Sequence, residues 1–192
     1  MVENGRDHPR RWSIAQAAEE SRKERRILTF GHHASKRPQL VIEAASLLGS
    51  DLKESSRVIV LGARDEFAVE LSDLAKALGM ADRIELPGFV DAREYEYQIA
   101  SASVIVMAST DEGFGLPIAE AQYFGIPSVA TTDSGLGEIH GEGLTVSEPS
   151  PEKLAVAIAA ALRPIVVGPK RTDVRSWGQV AGELRAKISP NS

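Results

Sequence analysis

The stretch Ser103 to Thr131, SVIVMASTDEGFGLPIAEAQYFGIPSVAT, constrains the fold more than any other part of the chain. It reads as a buried strand (Val104 to Met107), a polar, glycine-rich loop (Ser109 to Gly115), a short helix (Leu116 to Phe124) and a second strand (Ser128 to Thr131). Neither strand alternates apolar with polar residues, so both faces should be covered, as in a parallel sheet flanked by helices. Ligands of such sheets sit outside the carboxyl ends of the strands, where this loop lies. Pro117 suits a first helical turn, because the amide it lacks has no intrahelical partner there. The amides around Gly113, Gly115 and Leu116 are then donors at the positive end of a helix, suited to an anion or a sugar hydroxyl.

Two carboxylates bracket the turn: Glu112 precedes the glycines, and Glu120 follows about one turn into the helix. Taken singly, Glu112 is a favourable charge near a helix N-terminus and Glu120 a solvated helix residue. Their combination with paired glycines and Pro117 at a strand exit points to a ligand site. A lone G-x-G would be weak evidence.

The run Glu112-Gly113-Phe114-Gly115-Leu116-Pro117-Ile118-Ala119-Glu120, followed by Ala121, Gly125, Pro127 and Val129, resembles the E-x7-E signature of retaining GT-B glycosyltransferases, especially the family 4 (group 1) class. The resemblance implies that Glu112 and the Gly113 to Leu116 backbone, Phe114 included, meet a donor sugar. It implies that Glu120 accepts from ribose hydroxyls.

Upstream, Ile27 to Phe30 forms a short apolar strand closed by Gly31. A loop, His32 to Ser35, leads through Lys36 and Arg37 to a helix from about Pro38 to Leu48, with Leu40, Val41, Ala44, Ala45, Leu47 and Leu48 on one face. Members of the resembling family commonly carry Gly-Arg, a few residues, then Lys-Gly before this helix, the Arg and Lys holding the donor diphosphate. Here Gly31 is followed by His32, Lys36 matches the lysine, and Arg37 replaces the glycine. Lys36 is a sound phosphate ligand as a point charge. His32, with an ordinary pKa of about 6.5, is a weaker and pH-dependent substitute for arginine, and Arg37 offers another charge. Lys36 and Glu112 are the expected catalytic residues. His33 reads as solvent-exposed.

The strand–loop–helix theme recurs. Arg57 to Gly62 reads as a strand, Glu66 to Leu78 as an amphipathic helix ended by Gly79, and Ile84 to Val90 as a strand and turn. By resemblance Gly62-Ala63-Arg64 is the family's second loop, and Leu86 to Val90 lies near the nucleotide base. Asp91 is an N-cap for a helix to Ala100, whose Tyr95 and Tyr97 read as packing or surface groups. Glu138 reads as a structural helix-turn residue, Thr145-Val146 as a short strand, and Pro151 to Leu162 as a helix with Leu154, Ala155, Ile158 and Leu162 on one face.

The ends differ from this body. Residues 1–26 are polar and arginine-rich, with a short helix expected at Ser13 to Arg25. Asn4-Gly5-Arg6-Asp7 resembles the turn that opens the C-terminal half of family 4 enzymes. Residues 163–192 read as a loop followed by a helix from Ser176-Trp177 to Ile188, similar to the family's terminal Ser-Trp helix.

The expected fold is therefore α/β: a single Rossmann-like domain over residues 27–162, with about six parallel strands and helices on both faces. By resemblance it is the C-terminal half of a GT-B fold. At 192 residues the chain is long enough for one full core and short for two. The net charge of −5 argues against nucleic acid as a partner. With no cysteine there is no disulfide framework, thiolate metal site or cysteine nucleophile. No set of His, Asp or Glu has metal-ligand spacing, and no metal or other cofactor is assigned. A polar N-terminus and the lack of a long apolar run make cytoplasmic residence the default.

The resemblance implies a UDP-, GDP- or ADP-sugar donor and an N-terminal GT-B domain, or partner chain, carrying the acceptor site. It also allows peripheral membrane association through that half. Two other readings stand beside a donor-binding half: a GT-B nucleotide-sugar epimerase fragment, and a non-catalytic nucleotide-sugar-binding module.

Overall fold

The computed structural model describes residues 25–110, 112–140 and 143–163. The expected helix at Ser13 to Arg25, the turn at Asn4 to Asp7 and the terminal Ser-Trp helix fall outside them, except that Arg25 is the first residue of a strand. In chain order the elements are β1 (Arg25–Phe30), α1 (Pro38–Ser46), α2 (Ser50–Glu54), β2 (Ser56–Leu61), α3 (Asp65–Ala77), β3 (Ile84–Gly88) and α4 (Ala92–Ser101). They continue with β4 (Val104–Met107), α5 (Leu116–Phe124), β5 (Ser128–Thr131), α6 (Leu136–His140), β6 (Leu144–Ser147) and α7 (Pro151–Ala161).

The strands form one six-stranded sheet in the order β3-β2-β1-β4-β5-β6, every neighbouring pair parallel. Both parities of each central strand are apolar and buried, and the pleat sends them to opposite faces. Ile27, Val58, Val60, Val104, Val106 and Val129 pack on one face against Val41 and Ala45 of α1, Leu71 of α3 and Leu154 and Ile158 of α7. Leu28, Phe30, Ile59, Leu61, Ile105 and Met107 pack on the other against Ile99 of α4, Ile118 and Ala121 of α5 and Leu136 of α6. Burying each such side chain is worth about 1.5–3 kcal/mol, so the missing alternation in the sequence is the stability of a two-sided core.

The chain enters at β1 in the middle of the sheet, steps outward to β3, then returns to lay β4 on the other side of β1. Helices α1 and α5, which follow β1 and β4, therefore cover opposite faces. Their connecting loops leave from the carboxyl ends of these two strands, the crevice where ligands usually sit in an open α/β sheet.

Several boundaries differ from the sequence reading. β1 begins at Arg25, because its guanidinium and amide both bind Ser55 and hold the strand's start beside β2. α1 stops at Ser46, and Leu47, expected on its buried face, is 53% exposed. The five-residue α2 is too short to show a helical period and was not anticipated. Within the strand and turn read at Ile84 to Val90, the strand β3 ends at Gly88. Gly88 takes φ 69°, which turns the chain, and its carbonyl accepts from Gly62 at 2.7 Å. Asp91 caps α4 as expected, its carboxylate accepting from the Glu94 amide at 2.8 Å.

Candidate functional site

The crevice between the ends of β1 and β4 holds most of the residues singled out above. After β1 the chain passes so close to β2 that a Cβ on Gly31 would lie 2.7 Å from Val60 Cγ1 and 3.0 Å from the Ala63 side chain. Only glycine fits, and the Gly31 amide donates to Leu61 at 2.7 Å. A 3-10 turn, Ala34–Lys36, follows; the exposed His33 ring caps it by accepting from the Ser35 amide. That turn aims Lys36 across the crevice. Its Nζ donates to Glu112 Oε1 at 2.5 Å, and Ser109 Oγ donates to the same oxygen at 2.5 Å. The Thr110 amide binds the Ser35 carbonyl at 3.0 Å, so backbone as well as side chains joins the loops. The two side chains are only 16% and 9% exposed, where screening by water is reduced.

Arg37 has a different task from the one expected. Its φ of 46° and ψ of 52° are left-handed, a conformation costing most residues roughly 1–2 kcal/mol and glycine almost nothing. This explains the glycine of the resembling family. Here the guanidinium offsets the strain: two of its nitrogens grip both carboxylate oxygens of Asp133, at 2.9 and 2.8 Å. It also donates to the carbonyls of Ala108 and Ser109 and to Thr131 Oγ1. Arg37 is thereby committed to tying the β1, β4 and β5 loops together and is not a loose charge for a phosphate. The pairing holds the Asp133 carboxyl below its ordinary value.

His32 is equally altered. Burial, then the nearby Lys36 charge, lower its pKa from the ordinary 6.5.

The glycine loop enters α5 through Gly115, whose φ of 68° is left-handed and which receives no side-chain cap. Pro117 occupies the first turn, as expected. Gly113, Phe114 and Leu116 stand exposed at the mouth. His140, which sequence reasoning passed over, clamps this loop from α6: its Nε2 lies 2.6 Å from the Phe114 carbonyl, and the two rings are 5.3 Å apart. A Cβ on Gly115 would approach Leu136 Cδ2 to 2.4 Å. Gly115→Ala is therefore expected to lose about 1–2 kcal/mol of stability, from strained φ plus a displaced leucine side chain. Denaturant titration checks this, and an unchanged midpoint would contradict the geometry.

Glu120 lies about one turn into α5, and its Oε2 accepts from Tyr95 Oη at 2.8 Å. Tyr95, read from the sequence as a packing or surface residue, does pack, with its ring 6.5 Å from Phe30. Its hydroxyl contact had no sequence signal, because α4 and α5 meet only in the fold. At the ends of β2 and β3, the Arg64 guanidinium lies 4.4 Å over the Phe89 ring, and Phe89 is 62% exposed. Glu138 lies on α6.

A parallel sheet of this order, with loops converging where the chain reverses direction, is the architecture of a GT-B glycosyltransferase domain. Residues 10–172 match the family described as glycosyl transferases group 1, and the chain belongs to that family. It is 38% identical over 115 residues to D-inositol 3-phosphate glycosyltransferase of Arthrobacter sp. (strain FB24), a match covering 57% of this chain and 27% of that protein. The matched part of the chain thus spans less than a third of the length of such curated relatives. Among solved structures, Alr3699/HepE of Anabaena in complex with UDP and glucose superposes with a TM-score of 0.71 at 20% identity, over 94% of this chain and 53% of that one. The C-terminal domain of the group 1 protein LpcC from Francisella tularensis superposes with a TM-score of 0.65 at 23% identity, over 79% of this chain and 83% of that one. Among the described residues no helix is long and apolar enough to cross a membrane.

Proposed function

We propose that this chain is the donor-binding half of a retaining glycosyltransferase, which moves a sugar from a nucleoside-diphosphate sugar to an acceptor hydroxyl. The observation that supports this best is the meeting of Lys36 and Glu112, 76 residues apart, over the crevice between β1 and β4. In this reading the cation, the carboxylate and the N-terminus of α5 serve one ligand.

In this reading Lys36 and the Gly113 to Leu116 amides stabilise charge developing on the departing diphosphate, an electrostatic form of catalysis. Glu112 orients the sugar, and Glu120 accepts from the ribose hydroxyls. The Leu86 to Val90 segment borders the base. The two glutamates are not a glycosidase acid/base pair, since that chemistry needs both carboxyls flanking one bond. A second, N-terminal GT-B domain supplies the acceptor site and excludes water, so this chain by itself turns over slowly or not at all.

A thermal-shift screen with UDP, GDP, ADP and their sugar conjugates tests this reading. Ligand at about 100 times its dissociation constant adds roughly 2.7 kcal/mol and moves the midpoint by several degrees. Glu120→Ala should weaken nucleotide binding about tenfold, the worth of a hydrogen bond to a charged group. Glu112→Ala should weaken only the part that depends on the sugar. Parent-like binding by both variants would remove the assignment. A histidine at position 32 in place of the family's arginine, and an Arg37 committed to Asp133, favour one second reading, a binding module without transfer activity. A glycosylated acceptor formed after adding an N-terminal half would dismiss it.

A further inference from the structure

We propose that Tyr95 is a positioning residue for the carboxylate of Glu120, and so a determinant of ribonucleotide over deoxyribonucleotide selection; this rests on the reading of Glu120 as the ribose-binding group. Glutamate is among the side chains with the most rotamer freedom to lose when it is ordered. A carboxylate expected to accept from a ribose binds better when it is already oriented. Tyr95 supplies that orientation through its 2.8 Å hydrogen bond to Glu120 Oε2.

The tyrosine is itself held on two sides. Its ring rests near Phe30, the last residue of β1 and only 6% exposed. Its helix is fixed at the start, where Asp91 accepts from Glu94 and the Tyr95 amide binds the Asp91 carbonyl at 2.9 Å. Further along, Gln98 receives Arg26 of β1 at 2.7 Å and donates to Glu94 at 2.7 Å. The hydroxyl is thus presented from a ring anchored to the central strand rather than from a mobile surface side chain. A phenol also orients a carboxylate without neutralising it as an arginine or lysine would, and it uses one of about four lone-pair sites. The carboxylate keeps its acceptor character.

Tyr95→Phe removes one oxygen and leaves the ring packing in place, so the variant should fold. The experiment is calorimetric titration of the 192-residue chain with UDP and 2′-deoxy-UDP, and with the corresponding guanosine and adenosine pairs. The parent is expected to favour the ribo form of the nucleotide it binds. Tyr95→Phe should weaken ribo binding about three- to tenfold and the deoxy form, which keeps one of the two hydroxyls, by a smaller factor. In a Glu120→Gln background the same substitution should leave the ribo-to-deoxy ratio where it is.

Equal loss for both forms, or a ratio unchanged from a discriminating parent, would reduce Tyr95 to a packing residue and overturn the proposal. A further change of the ratio in the Glu120→Gln background would overturn it too. A parent that fails to distinguish ribo from deoxy in all three pairs would instead remove the reading of Glu120, and the proposal with it.

Discussion

Lys36→Ala is expected to reduce affinity for nucleoside diphosphates by about 100-fold, more than any other single change in the crevice. Loss of a charge-assisted contact to phosphate accounts for about 1.5–3 kcal/mol. The remainder comes from Glu112, whose side chain is only 9% exposed and whose partner cation would be gone. An unneutralised carboxylate beside an incoming diphosphate repels it in a medium where charges are poorly screened. The same reasoning predicts a rescue. Glu112→Gln in the Lys36→Ala background should regain part of the affinity, with a coupling of more than about 1 kcal/mol between the two positions. Titration of the two single variants and the double variant at low salt measures that coupling. Additive losses would mean that the ion pair has no electrostatic part in donor binding.

Arg37→Ala is expected to have the largest effect on stability, about 3 kcal/mol. The ion pair with Asp133 contributes the smaller share, because both side chains are partly exposed. The larger share comes from the Ala108 and Ser109 carbonyls and the Thr131 hydroxyl, all in buried residues that would lose a donor. For a chain of this size the midpoint should fall by roughly 6–12 °C. Arg37→Gly should cost about 1 kcal/mol less than Arg37→Ala, since it relieves the left-handed strain while losing the same contacts. If the two variants unfold at the same midpoint, the strain at position 37 is not real.

The pairing also has a pH signature. The folded-state pKa of Asp133 lies below its ordinary value of 3.8, with the hydrogen bond from Arg37 the leading cause. The unfolded chain therefore takes up this proton first as pH falls. The stabilisation is complete above 3.8 and fades as pH drops through the lower folded value. The difference between parent and Arg37→Ala should narrow in acid and stay constant from pH 5 to 7. A gap that widens in acid would assign the stabilisation to another group.

The site divides along a physical line between signals carried within a few residues and contacts made only in the fold. Elements whose signals are local were legible: the two-sided burial of Val104 to Met107, the Pro117 helix start, the Asp91 cap and the apolar face of Pro151 to Leu162. Each depends on periodicity or on a backbone rule acting within a few residues. The motif between Glu112 and Glu120 was legible because a strand exit, two glycines and a helix start follow one another directly along the chain. Element ends were less legible. Leu47 fell outside the helix assigned to it, because it is the residue that caps that helix's C-terminus.

Pairings across the sheet were not legible at all. Arg37 looked like a spare phosphate ligand, because the sequence shows its charge but not Asp133, 96 residues away. Tyr95 looked like packing, since its bond to Glu120 exists only where α4 and α5 lie side by side. His140 had no signal, because its partner is a backbone carbonyl, which every residue carries. By itself, then, the sequence determined an α/β chain of parallel strands with an anion-ready loop after β4. Local propensity and hydrophobic burial act over short spans and leave their pattern in the residue order. Only the tertiary structure decided which charges are spent on one another and which face the crevice. Ion pairs and hydrogen bonds form by distance in space, and the return of the chain from β3 to lay β4 beside β1 sets those distances.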